Sequence, residues 1–168
     1  MKRIVLLAIT LTTACLCFGA GKGNADGPRL DKVIETMKQN KDAEVIKLGR
    51  LGMSFFKIAL KHEADDEEDK AVLSLMKDTK SMTIADFSDC PRADREAIST
   101  KIDQALAGHE VILEIKDDDE TVTFYGIFNE KAGTVSDIVM YSPSECGIIL
   151  FDGKYKASTI GNLLANDN

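Results

Sequence analysis

The chain has 168 residues, with 21 basic and 28 acidic side chains and a formal net charge of −7. An acidic chain without a basic stripe is not expected to bind nucleic acid or anionic lipid. It contains two histidines, four cysteines and no tryptophan. This composition argues against zinc sites and histidine-based catalytic triads, and we predict neither a bound metal nor a cofactor.

The start of the chain predicts a signal peptide over residues 1–20. Lys2 and Arg3 give it a positive end, and residues 4–18 are apolar or small and carry no charge. That apolar stretch is shorter than the about 20 residues that a membrane-spanning helix needs. Small residues at 19–20 suit a signal peptidase, so we expect an exported protein of the periplasm or cell envelope.

Two alternatives compete for this region. One is a lipoprotein anchored at Cys15, although Thr12 stands where such signals usually carry leucine. The other is a phosphate-binding loop, because Gly21 and Lys22 follow an apolar run. Gly23 stands where that loop needs serine or threonine, which excludes the nucleotide site.

Apolar spacing along residues 28–165 predicts a single domain, preceded by a flexible mature N-terminus at 21–27. Positions that repeat every three or four residues indicate helices, and a period of two indicates strands. In chain order we predict a helix from 28, a strand at 44–49, helices at 51–62 and near 72–76, a strand at 80–87 and a helix at 91–108. Four strands then follow at 109–116, 121–129, 134–141 and 146–151, with a short closing helix near 160–164.

The last four strands are joined by short loops, and they therefore predict an antiparallel meander. Alternation places Val111, Leu113 and Ile115 on one face of the first of them. For the whole domain we expect an α+β fold, with an antiparallel sheet of about six strands and the helices packed on one face.

This order of elements resembles the bacterial secreted or envelope proteins called domain of unknown function 4252. The resemblance covers about residues 28–164 and is carried by AEVIKLGRLGMSFFKIAL, by LMKDTKSMTIADF and by the closing ILFDGKYKASTIGNLL. It implies a small α+β domain behind a signal peptide, with no established activity and no catalytic residues. It also implies a place in the bacterial envelope, where a link to envelope-stress signalling would fit.

The acidic runs at 63–69 and 117–120 resemble calcium loops in composition only. An EF-hand loop needs a glycine at its sharp turn and a ligand at its twelfth position. In the first run these positions hold Lys70 and Met76, and in the second the turn position holds Val122. Both stretches are therefore predicted to be solvated charge runs.

Candidates for a nucleophilic or acid–base enzyme are few. Ser142 and Ser144 lack the G-x-S-x-G context of an activated serine. Cys90 and His109 could form a cysteine–histidine pair, but Cys90 leads into a helix and His109 begins a strand after Gly108. Acids are plentiful, yet no two of them can be nominated as a glycosidase pair. We predict no catalytic residue.

Cys90 and Cys146 remain after signal cleavage, and both lie at predicted element boundaries. Loops there can approach to the about 5.5 Å Cα separation of a disulfide, and export would permit oxidation. We therefore predict a Cys90–Cys146 bridge. The alternative is two separate thiols, one of them buried as a small apolar residue.

The sequence as a whole predicts a non-enzymatic binding module for a protein or small-molecule partner. One candidate surface is a strand face that carries Asp137 and Tyr141 beside Val135 and Val139, and an exposed helix is another. The alternative is a hydrolase or isomerase whose site brings together dispersed acids, or an acid and His109, in one pocket.

Overall fold

The computed structural model describes residues 29–63, 75–117 and 120–165. Its elements are, in chain order, α1 Leu30–Gln39, β1 Glu44–Leu48, α2 Arg50–Glu63, β2 Thr79–Asp86, α3 Arg92–Leu106, β3 Glu110–Asp117, β4 Glu120–Asn129, β5 Thr134–Ser142, β6 Gly147–Lys156 and α4 Ala157–Ala165. A helical turn at 75–78 leads directly into β2. The predicted signal peptide, the mature N-terminus at 21–27 and the acidic run beyond Glu63 lie outside the described residues.

The six strands form one antiparallel sheet in the order β1-β2-β6-β5-β4-β3. Strands β3 to β6 are neighbours in chain order, as the predicted meander requires. β2 lies beside β6, and β1 forms the edge beyond it. The α+β class and the six-stranded antiparallel sheet predicted from the sequence are therefore confirmed.

The helices pack on both faces of the sheet, which corrects the expectation that they share one face. α1 and α3 cover one face, here called the α1 face, through residues such as Met37 and Ile102. α2 and α4 cover the other, the α2 face, through Met53 and Ile160. The reason is visible in β5, where the consecutive residues 138–141 are all buried. A strand that is apolar on both sides needs a helical layer on each.

The helices on the α1 face form because each carries one apolar stripe. In α1, Val33, Ile34 and Met37 recur on one side and are buried. Asp31 stands in the first turn and Lys38 in the last turn, so both charges complement the helix dipole. α3 buries a similar stripe, and its contacts with α1 close this face over the sheet.

A line of register irregularities, here called the crease, crosses the sheet from β2 to β3. In strand order the irregular points lie at Thr79/Ser81, Ser136/Ile138, Tyr125/Ile127 and Val111/Leu113. An extra residue at such a point bends its strand, increases the local twist and changes the face that the following side chains take. The crease therefore decides which side chains reach each face.

The crease separates Val111 from the strand face on which the sequence predicts it. We expected it to share a face with Leu113 and Ile115, but the register shifts between Val111 and Leu113. Ile112 packs against the core of the α2 face instead, and Val111 is 56% exposed. Strict alternation in the sequence cannot reveal the extra residue.

Two buried tyrosines differ in what their hydroxyl groups contact. Tyr155 Oη lies 2.9 Å from Thr79 Oγ1, and Thr79 in turn donates to the Leu75 carbonyl at 3.1 Å. Tyr141 Oη is buried without a hydrogen bond, and Ser99, although near it, does not reach hydrogen-bond geometry. Burial raises the pKa of each tyrosine to about 12. The two hydroxyls should therefore contribute differently to stability.

We expect Tyr155→Phe to lower the free energy of unfolding by about 1 kcal/mol, because it removes a satisfied buried hydrogen bond. Tyr141→Phe is the matched control and should be neutral or slightly stabilising, because it removes a buried hydroxyl that has no partner. Urea denaturation of the two variants beside the wild-type protein measures both changes. An equal loss of stability in the two variants would contradict this assignment.

Candidate functional site

A cleft of about 470 Å³ lies on the α1 face, where the crease meets the start of α1 and the end of α3. Its apolar floor includes Val139 of β5 and Leu150 of β6, which also contact the core under the helices. Six polar side chains line the same cleft: Arg29, Asp31, Gln104, His109, Asp137 and Asp152. An apolar surface with a few converging polar groups is the usual composition of a small-molecule site.

Asp137 stands where β5 crosses the crease. Its φ is 51°, in the left-handed region that residues other than glycine seldom adopt. Aspartate tolerates this backbone because its short side chain can bond locally, and here Ser136 Oγ donates to Asp137 Oδ2 at 3.3 Å. Such conformations cost roughly 1–3 kcal/mol and cluster at functional sites. The strained backbone therefore marks Asp137 as a candidate site residue.

His109 enters the cleft just after α3 ends. Its backbone N–H donates to the Leu106 carbonyl at 2.8 Å, which fixes the residue at the helix terminus. The Nδ1 atom is buried and has no hydrogen-bond partner. Burial lowers the pKa of His109, and the carboxylate of Asp137 offsets this only in part. The imidazole is therefore neutral at neutral pH and has one ring nitrogen unused by the fold.

The charges around the cleft are predominantly negative. Three carboxylates, those of Asp31, Asp137 and Asp152, face one guanidinium, that of Arg29. Arg29 Nε lies 3.2 Å from Asp31 Oδ1, so that pair is already neutralised. Asp152 Oδ2 accepts a hydrogen bond from Ser81 Oγ at 2.9 Å. The remaining negative potential favours a ligand with a positive charge or with hydrogen-bond donors.

The structure corrects the predicted polar face of β5. Val135 lies in the core of the α2 face, whereas Val139 and Tyr141 lie in the core of the α1 face. The extra residue at Asp137 causes this change, because β5 advances three residues from 136 to 139 where β4 advances two, and this shifts the alternation between 135 and 139. Tyr141 is covered by the core rather than exposed to water, and of the two polar residues only Asp137 lines the cleft.

Cys90 and Cys146 are unbonded in this structure and are buried in the same core. Phe87 connects them, because its N–H donates to the Cys146 carbonyl at 3.0 Å and its carbonyl accepts from Cys90 N–H at 3.2 Å. Burial, assisted by Asp42 and other nearby carboxylates, raises the pKa of the Cys90 thiol and makes it a poor nucleophile. A disulfide between the two residues stays a prediction.

The hydroxyl groups of the other nucleophile candidates, Ser142 and Ser144, make contacts within a turn. Ser142 Oγ and Ser144 Oγ lie 3.4 Å apart in the β5–β6 turn, and Ser142 Oγ also accepts from Glu145 N–H at 3.4 Å. Cys90 is not among the residues that line the cleft with His109. Within the described part of the chain, no three His, Cys, Asp or Glu residues are grouped as a metal site requires.

Fold and cleft together define a class: a small α+β domain with a six-stranded antiparallel sheet and a negatively charged cleft on one face. The chain belongs to the family described as Domain of unknown function (DUF4252), whose model matches residues 36–163. The resemblance found in the sequence is therefore confirmed at the level of the family. Comparison with curated proteins gave no match, and comparison with solved structures gave none.

One negative finding concerns the membrane. No helix in the ranges 29–63, 75–117 and 120–165 combines the length and the apolar character that crossing a bilayer requires. The longest helix in those ranges, α3, has 15 residues and a polar outer side.

Proposed function

We propose that this protein is an exported, non-enzymatic binding module that holds a small amine in the cleft beside Asp137. The observation that carries the proposal is the left-handed backbone of Asp137, which places a carboxylate at the edge of an apolar floor. Asp152 supplies a second carboxylate, and neutral His109 supplies a hydrogen-bond acceptor. An ammonium group with an apolar body would satisfy both parts of this cleft.

The exported location belongs to the same proposal. It is supported by the positive start and uncharged apolar run of residues 1–18, followed by small residues at 19–20. A lipoprotein anchored at Cys15 is the alternative form of export. In the envelope, a ligand-binding module without catalytic groups would suit a sensing role in envelope-stress signalling.

A hydrolase or isomerase is the second candidate function. It is favoured by one observation, namely that a neutral histidine and the Asp137 carboxylate line the same cleft. A neutral imidazole with a lowered pKa can act as a general base. Among the residues that the structure describes, no serine or cysteine lines this cleft, so such an enzyme would have to work without a covalent nucleophile from them. For that reason we rank binding above catalysis.

Hexylamine is a suitable probe, with hexanol and hexanoate as ligands of equal length and different charge. We expect hexylamine to shift the amide NMR signals of His109, Ile127 and Val139, hexanol to shift them less, and hexanoate to leave them unchanged. Asp137→Asn should weaken hexylamine binding roughly three- to tenfold, because it removes one charge-assisted contact.

Glu130→Gln is the control variant, because Glu130 is an exposed carboxylate in the β4–β5 turn and does not line the cleft. It should bind hexylamine as the wild-type protein does. Equal binding of hexylamine and hexanoate, or equal weakening by the two substitutions, would contradict an amine site. Turnover of an ester or amide substrate that is lost in His109→Asn would instead favour the enzyme.

A further inference from the structure

α2 exposes a stripe of large apolar side chains, here called the α2 stripe. It consists of Leu51, Phe55 and Ile58, which are 79%, 73% and 57% exposed. Their spacing of four and three residues places them along one line on the helix. Scattered apolar residues on a surface need no explanation, but a contiguous row on one helix usually marks an interaction site.

The α2 stripe cannot turn inward, because the opposite side of α2 is already fixed to the domain. Met53 is 1% exposed and belongs to the core of the α2 face, with Phe56 packed against it. Lys57 Nζ donates to the Lys77 carbonyl at 3.2 Å and to the Thr79 carbonyl at 2.8 Å. The helix therefore has one buried side and one unpartnered apolar side.

We propose that the α2 stripe binds the same stripe of a second copy, so that two α2 helices pair antiparallel about a two-fold axis. A two-fold interface brings one patch of each copy against its own equivalent, and a short straight apolar row meets this requirement. Pairing would bury all six large side chains, and fully burying one such side chain is worth on the order of a tenfold-to-hundredfold gain in affinity.

The charges at the two ends of α2 set the antiparallel direction. The helix begins at Arg50, has no acid in its first turn, and follows exposed Lys47 of β1. It ends at the acidic residue Glu63. A parallel pair would place like charges together, whereas an antiparallel pair places the basic end of one helix beside the acidic end of the other. The two helix dipoles also oppose each other favourably in that arrangement.

The same charges favour a second copy over a membrane surface. The chain carries a net charge of −7, and the last residue of α2, Glu63, is an acid. Anionic lipid would repel that end of the helix, and a bilayer would leave the basic and acidic ends without partners of opposite charge. A second copy supplies both partners.

The first test is the oligomeric state of the mature protein by analytical ultracentrifugation over micromolar to submillimolar concentrations. We expect a monomer–dimer equilibrium, and Phe55→Asp should raise the dimer dissociation constant by roughly a hundredfold, because the interface contains this residue twice. Val111→Asp is the matched control: Val111 is also an exposed apolar residue, 56% exposed, but it lies on β3. It should leave the dimer unchanged.

The second test is a charge exchange. Arg50→Glu and Glu63→Arg each improve the match between α2 and its own dipole, so neither should unfold the helix. Each single variant should weaken the dimer about threefold to tenfold, and the double variant should restore it. A monomer at every concentration, a dimer insensitive to Phe55→Asp, or Phe55-dependent binding to phosphatidylglycerol vesicles by a monomer would overturn the proposal.

Discussion

Gly153→Ala should destabilise the domain by about 3 kcal/mol or more, a large fraction of the roughly 5–15 kcal/mol by which native proteins are usually stable. A Cβ atom at this position would lie 2.6 Å from the Asp78 carbonyl oxygen and 2.5 Å from Tyr155 Oη. The tyrosine could move only by giving up its hydrogen bond to Thr79, and the backbone carbonyl cannot move without displacing the start of β2. Both the clash and the lost bond contribute to the effect.

The control is Gly161→Ala in α4, where an added Cβ meets no atom within 4 Å. This glycine is exposed within a helix, so alanine should stabilise the protein by roughly 0.5–1 kcal/mol. Thermal and urea unfolding of the two variants test the prediction together, and we expect changes of opposite sign. A Gly153→Ala variant as stable as the wild-type protein would show that β2 and β6 do not approach as closely as described.

Phe87→Ala is the second change for which we expect a large effect, a loss of about 3–5 kcal/mol in the free energy of unfolding. Phe87 is 0% exposed, and it lies in the core under α1 and α3 with Cys90 and Cys146. Alanine would leave a cavity at the point where the loop after β2 is tied to the turn before β6. The surrounding core includes strands as well as helices, so it can close the cavity only in part.

Phe128→Ala offers a matched control, because Phe128 is also in the sheet region but is 40% exposed at the end of β4. Its loss should be about 1–2 kcal/mol, since only part of its apolar surface is buried and its removal leaves no closed cavity. Urea denaturation with near-ultraviolet circular dichroism reports both stability and the packing of the aromatic core. Equal losses for the two phenylalanines would mean that Phe87 is less buried than the fold requires.

Several parts of the fold follow from local sequence signals. The four-stranded meander is predictable because short polar turns separate β3 to β6 and because a long loop is needed only for parallel pairing. The helical layer on both faces also has a signal, in the uninterrupted apolar residues 138–141 and 148–151. We interpreted such runs as ordinary strands, although a strand with two buried faces explains them better.

The cleft could not be predicted in the same way. Its polar residues come from the start of α1, the end of α3 and the middle of the sheet, and only the tertiary fold brings these together. The crease could not be predicted either, since an extra residue in a strand does not change the composition of the strand. Asp137 was considered as a polar strand residue, but its left-handed backbone is set by the pairing of β5 with both neighbours.

The crease has a consequence for how this family can vary. Val135 and Ile138 lie in the same core although they are three residues apart, because the unpaired Asp137 stands between them. Deleting that one residue would leave both on one face of a regularly alternating strand, so β5 would lose its bulge without exposing Val135. Exchanging the Asp137 side chain would disturb only the cleft. Among relatives, a β5 strand that is one residue shorter between the β4–β5 turn and Ile138 should therefore lack both the bulge and the carboxylate that lines the cleft. A gap there in an alignment would mark a sheet with a different curvature.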